Sequence, residues 1–162
     1  MRLEWMETAA SAAVCALRQD TMKDLAASLL IWIALQLGGE PPPAPEIRLC
    51  PETALVERYS GGIPPAHPPF VCGLYDSRSR IVYLPDTWRA DSLLDRSALL
   101  HELVHHVQVV RAMPYPCPAA RERLAYELQA RWLKENGVAD PYALLKVDEF
   151  TITIRSLCLP PE

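Results

Sequence analysis

The residues of this sequence best suited to chemistry are His101, Glu102 and His105, which stand in the order His-Glu-Leu-Val-His. On a helix, positions four apart lie one turn apart on the same face, so the two imidazoles point in the same direction. Imidazoles placed in this way can bind Zn²⁺ at about 2.0–2.1 Å from each nitrogen. Glu102 lies roughly 100° further round the helix, where it can reach a water held by the metal. The spacing therefore predicts a zinc-activated water with Glu102 as its general base.

The residues around this motif argue against a chance occurrence. With average residue usage, such a string appears by chance in roughly one chain of this size in a few hundred. Here it is flanked by apolar side chains: Leu99, Leu100, Leu103, Val104, Val107 and Val109. A helix that is apolar around its circumference is buried, and unpaired histidine and glutamate are costly there. A bound metal removes that cost, so we interpret the motif as a zinc site.

A catalytic zinc site needs a third protein ligand and one open position. The extended metzincin motif would place glycine at position 108 and histidine at position 111, where this sequence has Gln108 and Arg111. His67, in a proline-rich segment, and His106, on another face of the helix, are expected to be surface or packing residues. The third ligand is therefore expected to be a carboxylate from the next helix.

That helix, residues 120–133, offers two carboxylates, Glu122 and Glu127. They lie about 140° apart around the helix, so only one can meet the two histidines. Glu122 shares its face of the helix with the uncharged residues Ala125, Tyr126 and Gln129. Glu127 lies near Arg123 and Arg131 instead. Helical phase favours Glu122 as the ligand and leaves Glu127 as the alternative.

Residues 70–135 resemble the gluzincin metallopeptidases, and in particular very small, uncharacterised zincin-like domains. In that family the motif helix is followed by a helix with a glutamate ligand in a Glu-x-x-Ala-Asp frame. Residues 122–126 fit this frame, with Tyr126 where aspartate is usual. Tyr126 or Gln129 is then expected to replace the aspartate as the partner of the histidines.

The resemblance implies a zincin-like fold and a zinc metallopeptidase that acts on a peptide or protein substrate. It implies Zn²⁺ on His101, His105 and Glu122, with Glu102 as catalytic base. In zincins an edge strand binds extended peptide by strand addition, and residues 70–75 or 81–84 could fill that role. Gly73 would allow a substrate backbone to approach, or would mark a bulge. The oxyanion donor stays open among Tyr115, Tyr126 and Tyr142.

Two alternatives to an active peptidase stay open. The chain could be a non-catalytic zincin-like module that binds metal for stability or binds a protein partner, although such a module has no use for Glu102. It could also be a latent peptidase whose open zinc position is filled by Cys117 or by the C-terminal tail.

The composition fits one domain of 162 residues, with 50% hydrophobic residues and a formal net charge of −4. It shows no basic stripe of the kind that binds nucleic acid. The longest apolar segment, residues 25–37, is too short to span a membrane, and acidic residues before it make a poor signal peptide. We expect a soluble protein, in the cytoplasm rather than exported to the periplasm or beyond, with no prediction of its oligomeric state.

Five cysteines leave at least one unpaired inside a monomer. Cys117 and Cys158 both lie in loop-like, proline-rich surroundings and are the pair to test for a disulfide. Five reduced thiols are the equally weighted alternative.

The predicted elements indicate an α+β fold with a small antiparallel sheet packed on the motif helix and the glutamate helix. Residues 1–39 are predicted to form N-terminal helices that break near residues 19–21. Residues 47–111 are predicted to hold a strand (47–50), a helix (51–59), a hairpin (70–75 and 81–84) and the motif helix (92–111). Residues 119–162 are predicted to hold the glutamate helix (119–136) and a last strand (150–154), all in one zincin-like domain over 1–162.

Overall fold

The computed structural model describes residues 3–62 and 71–159, with side chains from residue 20 onward. In these ranges the fold is α+β, as the sequence predicts. The elements are α1 (Leu3–Leu37), β1 (Glu46–Cys50), α2 (Glu52–Tyr59), β2 (Leu74–Asp76), β3 (Ile81–Pro85), α3 (Leu93–Val110), a turn of 3-10 helix (Pro118–Arg121), α4 (Glu122–Glu135), α5 (Pro141–Leu145) and α6 (Glu149–Arg155).

The sheet has three strands in the order β1-β3-β2 and mixes the two strand directions. β1 runs parallel to β3 and pairs Glu46 with Ile81. β2 runs antiparallel to β3 and pairs Tyr75 with Val82. The prediction of an antiparallel sheet is therefore correct for the hairpin and wrong for β1. After β1 the chain passes through α2 to the far edge strand β2, and the hairpin turn then brings β3 back between them, parallel to β1.

Asp76 closes the turn between β2 and β3. Its carboxylate accepts hydrogen bonds from the backbone N–H of Arg78 at 2.9 Å and from the hydroxyl of Ser79 at 2.7 Å. Aspartate favours turns because its short side chain can satisfy backbone donors in this way. The predicted hairpin is confirmed with a shorter first strand, and residue 70 of the predicted strand lies outside the described residues.

α1 is one continuous helix, so the predicted break near residues 19–21 is wrong. Asp20 and Thr21 are exposed polar residues, but neither is a proline or a glycine, and a helix passes through such residues at small cost. From Met22 onward one face is buried, through Met22, Ala26, Leu29, Leu30 and Ile33. Within the described residues, no helix has both the length and the apolar character that crossing a membrane requires.

The main hydrophobic core forms where α1, the sheet, α3 and α4 meet. α3 is buried around nearly its whole circumference, as its sequence predicts. Its first turn is capped by Ser92, whose hydroxyl accepts the N–H of Asp95 at 3.2 Å. Leu99, Leu100 and Leu103 are completely buried in the core. Close packing of these leucines fixes the rotation of α3 and therefore the direction of its polar side chains.

α4 begins at Glu122 and not near residue 119, because Pro118–Arg121 forms a turn of 3-10 helix. Pro118 suits this first turn, since its missing N–H would have no partner there. Ala125, one turn after Glu122, is completely buried. Its small side chain lets α4 lie close to α3.

The predicted strand at residues 150–154 is wrong, because Glu149–Arg155 forms α6. Asp148 caps this helix and accepts the N–H of Thr151 at 2.7 Å. Of the apolar residues that alternate in this stretch, only Ile152 is buried. The alternation therefore does not mark a half-buried strand, and the local cap decides the conformation.

The predicted pair Cys117 and Cys158 forms a disulfide, with Cα atoms 5.7 Å apart and a separation of 41 positions in sequence. It joins the loop before α4 to the segment after α6. Arg123 of α4 adds hydrogen bonds to Glu149 at 2.7 Å and to Thr153 at 2.9 Å. α6 is therefore attached to α4 by a covalent bond and by side-chain hydrogen bonds.

The disulfide also bears on the latent-enzyme alternative. A bonded Cys117 offers no thiolate, so in this state it is not a metal ligand. Cys50 and Cys72 are free thiols, and the side chain of Cys15 lies outside the described residues.

Candidate metal centre

His101, His105 and Glu122 come together between α3 and the first turn of α4. The Nε2 atoms of the two histidines lie 3.2 Å apart. One oxygen of Glu122 lies 3.2 Å from His101 Nε2, and its other oxygen lies 3.2 Å from His105 Nε2. Three residues that the sequence selected as metal ligands thus present their donor atoms to one point.

The spacing of these donor atoms fits a tetrahedral zinc ion. Ligand atoms at 2.0–2.1 Å from a tetrahedral metal are about 3.3–3.4 Å from each other. Here the two Nε2 atoms are 3.2 Å apart, and each lies 3.2 Å from a different oxygen of Glu122. Two imidazoles and one carboxylate are also a donor set of catalytic zinc sites, which leave a fourth position for water or substrate. The residues present therefore fit the metal that the sequence predicts.

The outer nitrogen of each histidine ring is held by a glutamine. His101 Nδ1 lies 3.0 Å from Gln129 Oε1, and His105 Nδ1 lies 2.9 Å from Gln108 Oε1. An amide oxygen only accepts, so each Nδ1 carries a proton and each Nε2 can present a lone pair to the centre. Two such lone pairs 3.2 Å apart repel each other unless a metal ion or a proton lies between them.

The orientation of both glutamines follows from their second contacts. Gln108 Nε2 donates to the backbone carbonyl of Arg121 at 3.0 Å. Gln129 Nε2 donates at 3.1 Å to the hydroxyl of Ser97, which itself donates to the carbonyl of Leu94 at 2.7 Å. Because neither acceptor has a proton to offer, the amide nitrogens face these partners and the amide oxygens face the histidines.

Glu102 is oriented by β2 and the residues just before it. Its Oε2 accepts the backbone N–H of Tyr75 at 2.8 Å, and the side chain is only 8% exposed. Gly73 passes so close that a Cβ there would lie 2.9 Å from Cγ of Glu102. A larger residue at position 73 would therefore displace the Glu102 side chain, a reason for glycine that neither the predicted substrate approach nor the predicted bulge included.

The surroundings of Glu102 change its acidity. Burial raises the pKa of Glu102, while the charges of His101 and His105 lower it in part. A general base acts best when its pKa lies near the operating pH. The pKa of Glu102 is therefore shifted upward, which is the direction that a general base needs.

Without a metal ion, the triad holds a proton between His105 and Glu122. Burial lowers the pKa of His105, but the hydrogen bond to Glu122 and the charges of Glu102 and Glu122 outweigh burial and raise that pKa to about 9. Burial raises the pKa of Glu122, but its contacts with His101 and His105 bring that pKa far below its usual range. An imidazolium then lies where a metal cation would otherwise balance the carboxylate.

We expect zinc binding to the metal-free protein to release about one proton per chain at pH 7, because protonated His105 must become neutral to ligate. Since the pKa of His105 is about 9, zinc affinity should rise with pH up to that value, by about tenfold per unit. Calorimetric titration in two buffers of different ionisation enthalpy measures the released protons, with a chelator as reference. Equal heats in both buffers would contradict the raised pKa.

The two residues proposed as substitutes for the family's aspartate have different contacts. Gln129 makes the hydrogen bond to His101, whereas the ring of Tyr126 packs edge-on against the His101 ring, 4.7 Å between centroids. Sequence reasoning missed Gln108 and Ser97 as partners. A signal existed, because Gln108 is three residues after His105 and Ser97 four residues before His101, which are neighbouring positions on a helix.

The remaining residues singled out from the sequence lie further from the triad. Glu127 is exposed and does not join the cluster. Tyr142 is 36% exposed, and its charged neighbours are Glu127, Glu149 and Arg123. Tyr115 lies closer, since its hydroxyl accepts from Gln108 at 3.0 Å. Of the three candidate oxyanion donors, Tyr115 and Tyr126 are therefore connected to the metal centre.

His106 is a packing residue, as predicted. Its Nε2 donates to the carbonyl of Pro43 at 2.9 Å, and its Nδ1 accepts from the Tyr75 hydroxyl at 3.1 Å. This ring links the connector before β1 to β2, the strand that orients Glu102. His67 lies outside the described residues.

The sheet offers β2 for strand addition. β3 (Ile81–Pro85) is the central strand of the sheet. Residues 81–84, one of the two predicted peptide-binding edge strands, are therefore not at an edge. β2 (Leu74–Asp76) is an edge strand in the described part of the chain, and it is adjacent to Glu102. Edge strands present backbone groups to which an extended peptide can pair, although on β2 the N–H of Tyr75 is already donated to Glu102.

A cavity of about 130 Å³ lies one turn of α3 away from Glu102. Val71, Cys72 and Pro85 line one side, and Leu94, Asp95 and Ala98 line the other. Cys72 adjoins Gly73, so the cavity lies beside the segment that contacts Glu102.

Fold and site together define an α+β protein with a His-His-Glu cluster and a buried glutamate beside it. The chain belongs to the family described as Domain of unknown function (DUF6647), whose family model matches residues 18–160. The match includes the whole motif and Glu122. Comparison with curated proteins and with solved structures finds no match.

Proposed function

We propose that this protein is a zinc-dependent metallopeptidase with a zincin-like active site. In this proposal His101, His105 and Glu122 bind Zn²⁺, and Glu102 is the general base. The observation that carries the proposal is the convergence of the donor atoms of these three residues, which lie within 4.8 Å of one another. The two Nε2 atoms are 3.2 Å apart, each lies 3.2 Å from a different oxygen of Glu122, and both histidine rings are fixed by glutamine carbonyls. Tetrahedral zinc needs this spacing and this protonation state.

The chain's own residues then have separate tasks. Zinc, when bound, supplies Lewis acidity and makes water a nucleophile near neutral pH. Glu102 accepts the proton of the attacking water, while the N–H of Tyr75 holds its other oxygen in place. Gln108 and Gln129 keep the two histidine rings in the ligating tautomer. A protonated Glu102 can later return its proton to the leaving amine.

The substrate in this proposal is a peptide in extended conformation. β2 offers an edge beside Glu102, and strand addition would align the peptide backbone along it. The cavity that Cys72 and Ala98 help to line is located where it can receive one side chain of the peptide.

The disulfide supports an exported location over the cytoplasmic one. Disulfides persist mainly in oxidising compartments such as the periplasm or the extracellular space. The Cys117–Cys158 bond joins the loop before α4 to the segment after α6. We therefore include an oxidising compartment in the proposal.

The test of this function combines metal analysis with peptide cleavage. The purified chain should contain one zinc per molecule, and the His101→Ala/His105→Ala double variant should contain none. Incubated with a mixed peptide library, the zinc-loaded protein should cleave peptide bonds, and a chelator should stop the cleavage until zinc is restored. One zinc without any cleavage would favour the non-catalytic module, and no zinc would refute the site.

A further inference from the structure

Arg155 brings a positive charge close to a metal ligand. This exposed residue of α6 donates a hydrogen bond from Nη1 to the Tyr126 hydroxyl, and its Cζ lies 5.8 Å from the centre of the Tyr126 ring. The same ring lies edge-on to His101, 4.7 Å between centroids. One aromatic ring therefore separates the guanidinium from the metal centre.

The charge of Arg155 also reaches the opposite wall of the site. Burial raises the pKa of the Cys72 thiol, the carboxylate of Glu102 adds to this rise, and the charge of Arg155 opposes it. Cys72 directly precedes Gly73, which is in contact with Glu102. Arg155 is therefore within electrostatic range of both the α4 side and the β2 side of the site.

Most of the hydrogen-bonding capacity of Arg155 is unused by the described part of the chain. Arg123 and Arg131 have carboxylate partners, Glu149 and Glu135, whereas no described carboxylate lies within ion-pair distance of Arg155. Its one side-chain partner among the described residues is the Tyr126 hydroxyl. A guanidinium has five donors in a planar fork that matches a carboxylate in bidentate geometry.

The position of Arg155 is fixed by the attachment of α6. Ile152, one turn earlier, is 1% exposed, and the Cys117–Cys158 disulfide follows three residues later. The hydrogen bond to Tyr126 then restrains the side chain itself. A cation held in this way can bind an anion with a smaller loss of side-chain entropy than a free surface arginine.

We propose that Arg155 binds the free C-terminal carboxylate of the peptide substrate. This inference deepens the proposed function and rests on it. The two separations through the Tyr126 ring place the guanidinium within about three extended residues of the His101 ring, and the metal position lies just beyond that ring. A C-terminal carboxylate bound at Arg155 would therefore place a peptide bond near the end of the chain at the metal, and the protein would remove one to a few C-terminal residues.

The experiment measures binding without turnover, in the zinc-loaded full chain carrying Glu102→Gln. The probes are N-acetylated tetrapeptide mixtures of the same composition, prepared once with free C-terminal carboxylates and once with C-terminal amides. The acids should bind about tenfold more tightly than the amides, as expected for a charge-assisted hydrogen bond that is partly exposed. Arg155→Gln should remove this preference, and Arg155→Lys should restore part of it.

Two further variants separate recognition from folding. Arg131→Gln makes the same chemical change at an exposed arginine paired with Glu135, and it should leave the preference at its full size. Tyr126→Phe keeps the ring against His101 but removes the hydroxyl that positions Arg155, so it should reduce the preference while zinc stays bound.

The outcomes distinguish this inference from the proposed function. Equal binding of acids and amides, no binding of either, or a preference that survives Arg155→Gln would overturn the inference. A preference only for peptides with aspartate or glutamate side chains would also overturn the C-terminal assignment. Cleavage of amidated peptides by the wild-type enzyme would leave the proposed function standing. If acids bind more tightly than amides through Arg155 but the chain hydrolyses no peptide, the carboxylate site is supported and the proposed peptidase function is refuted.

Discussion

Glu102→Gln is expected to abolish peptide hydrolysis while zinc remains bound and the fold is unchanged. Glutamine has the same shape, and its amide oxygen can still accept the N–H of Tyr75 that orients Glu102 at 2.8 Å. Glu102 lies outside the set of three donor atoms, so the metal loses no ligand. The variant loses only a group that can take a proton, and such a loss costs about 10²- to 10⁴-fold in rate.

Cleavage of the peptide library, zinc content and thermal unfolding should be measured together on the wild type and this variant. Glu127→Gln is the matched control, because it makes the same change at an exposed carboxylate on α4. Hydrolysis at the wild-type rate in Glu102→Gln would show that Glu102 is not the base. A simultaneous loss of zinc would show instead that Glu102 is a ligand.

The positions of the histidines and of Glu122 followed from the sequence because they depend on one local rule. Helical periodicity puts His101 and His105 on one face, and it separates Glu122 from Glu127 by more than a third of a turn. The apolar residues around the motif also predicted burial of α3 correctly. Such predictions succeed where one element, with one regular period, decides which side chains share a face.

The sequence failed where tertiary contacts or single caps decide the outcome. Asp148 starts a helix in a stretch whose apolar alternation is typical of a strand. The direction of β1 depends on its pairing with β3, in which Glu46 pairs with Ile81, 35 positions later in the sequence. Gln108 is oriented by the backbone carbonyl of Arg121, which belongs to another element, and no periodicity identifies such a partner.

Glu122→Ala is expected to weaken zinc binding by about 10²- to 10³-fold, if the free energy of a zinc site is divided over its ligands. The Glu122 carboxylate contacts both histidines: one of its oxygens lies 3.2 Å from His101 Nε2, and the other lies 3.2 Å from His105 Nε2. Its removal leaves two imidazoles and no negative ligand to balance the metal charge. Alanine suits helix interiors, so the change should leave α4 itself intact.

Glu127→Ala provides the matched control on the same helix. This exposed carboxylate does not take part in the cluster, and it lies about 140° round α4 from Glu122. Its removal should change zinc affinity by no more than a few fold, through the long-range effect of one screened surface charge. Competition with a chelator of known affinity measures both variants under one set of conditions. If Glu127→Ala were the weaker zinc binder, then α4 would present its other face to α3 in solution, and the assignment of Glu122 as third ligand would be wrong.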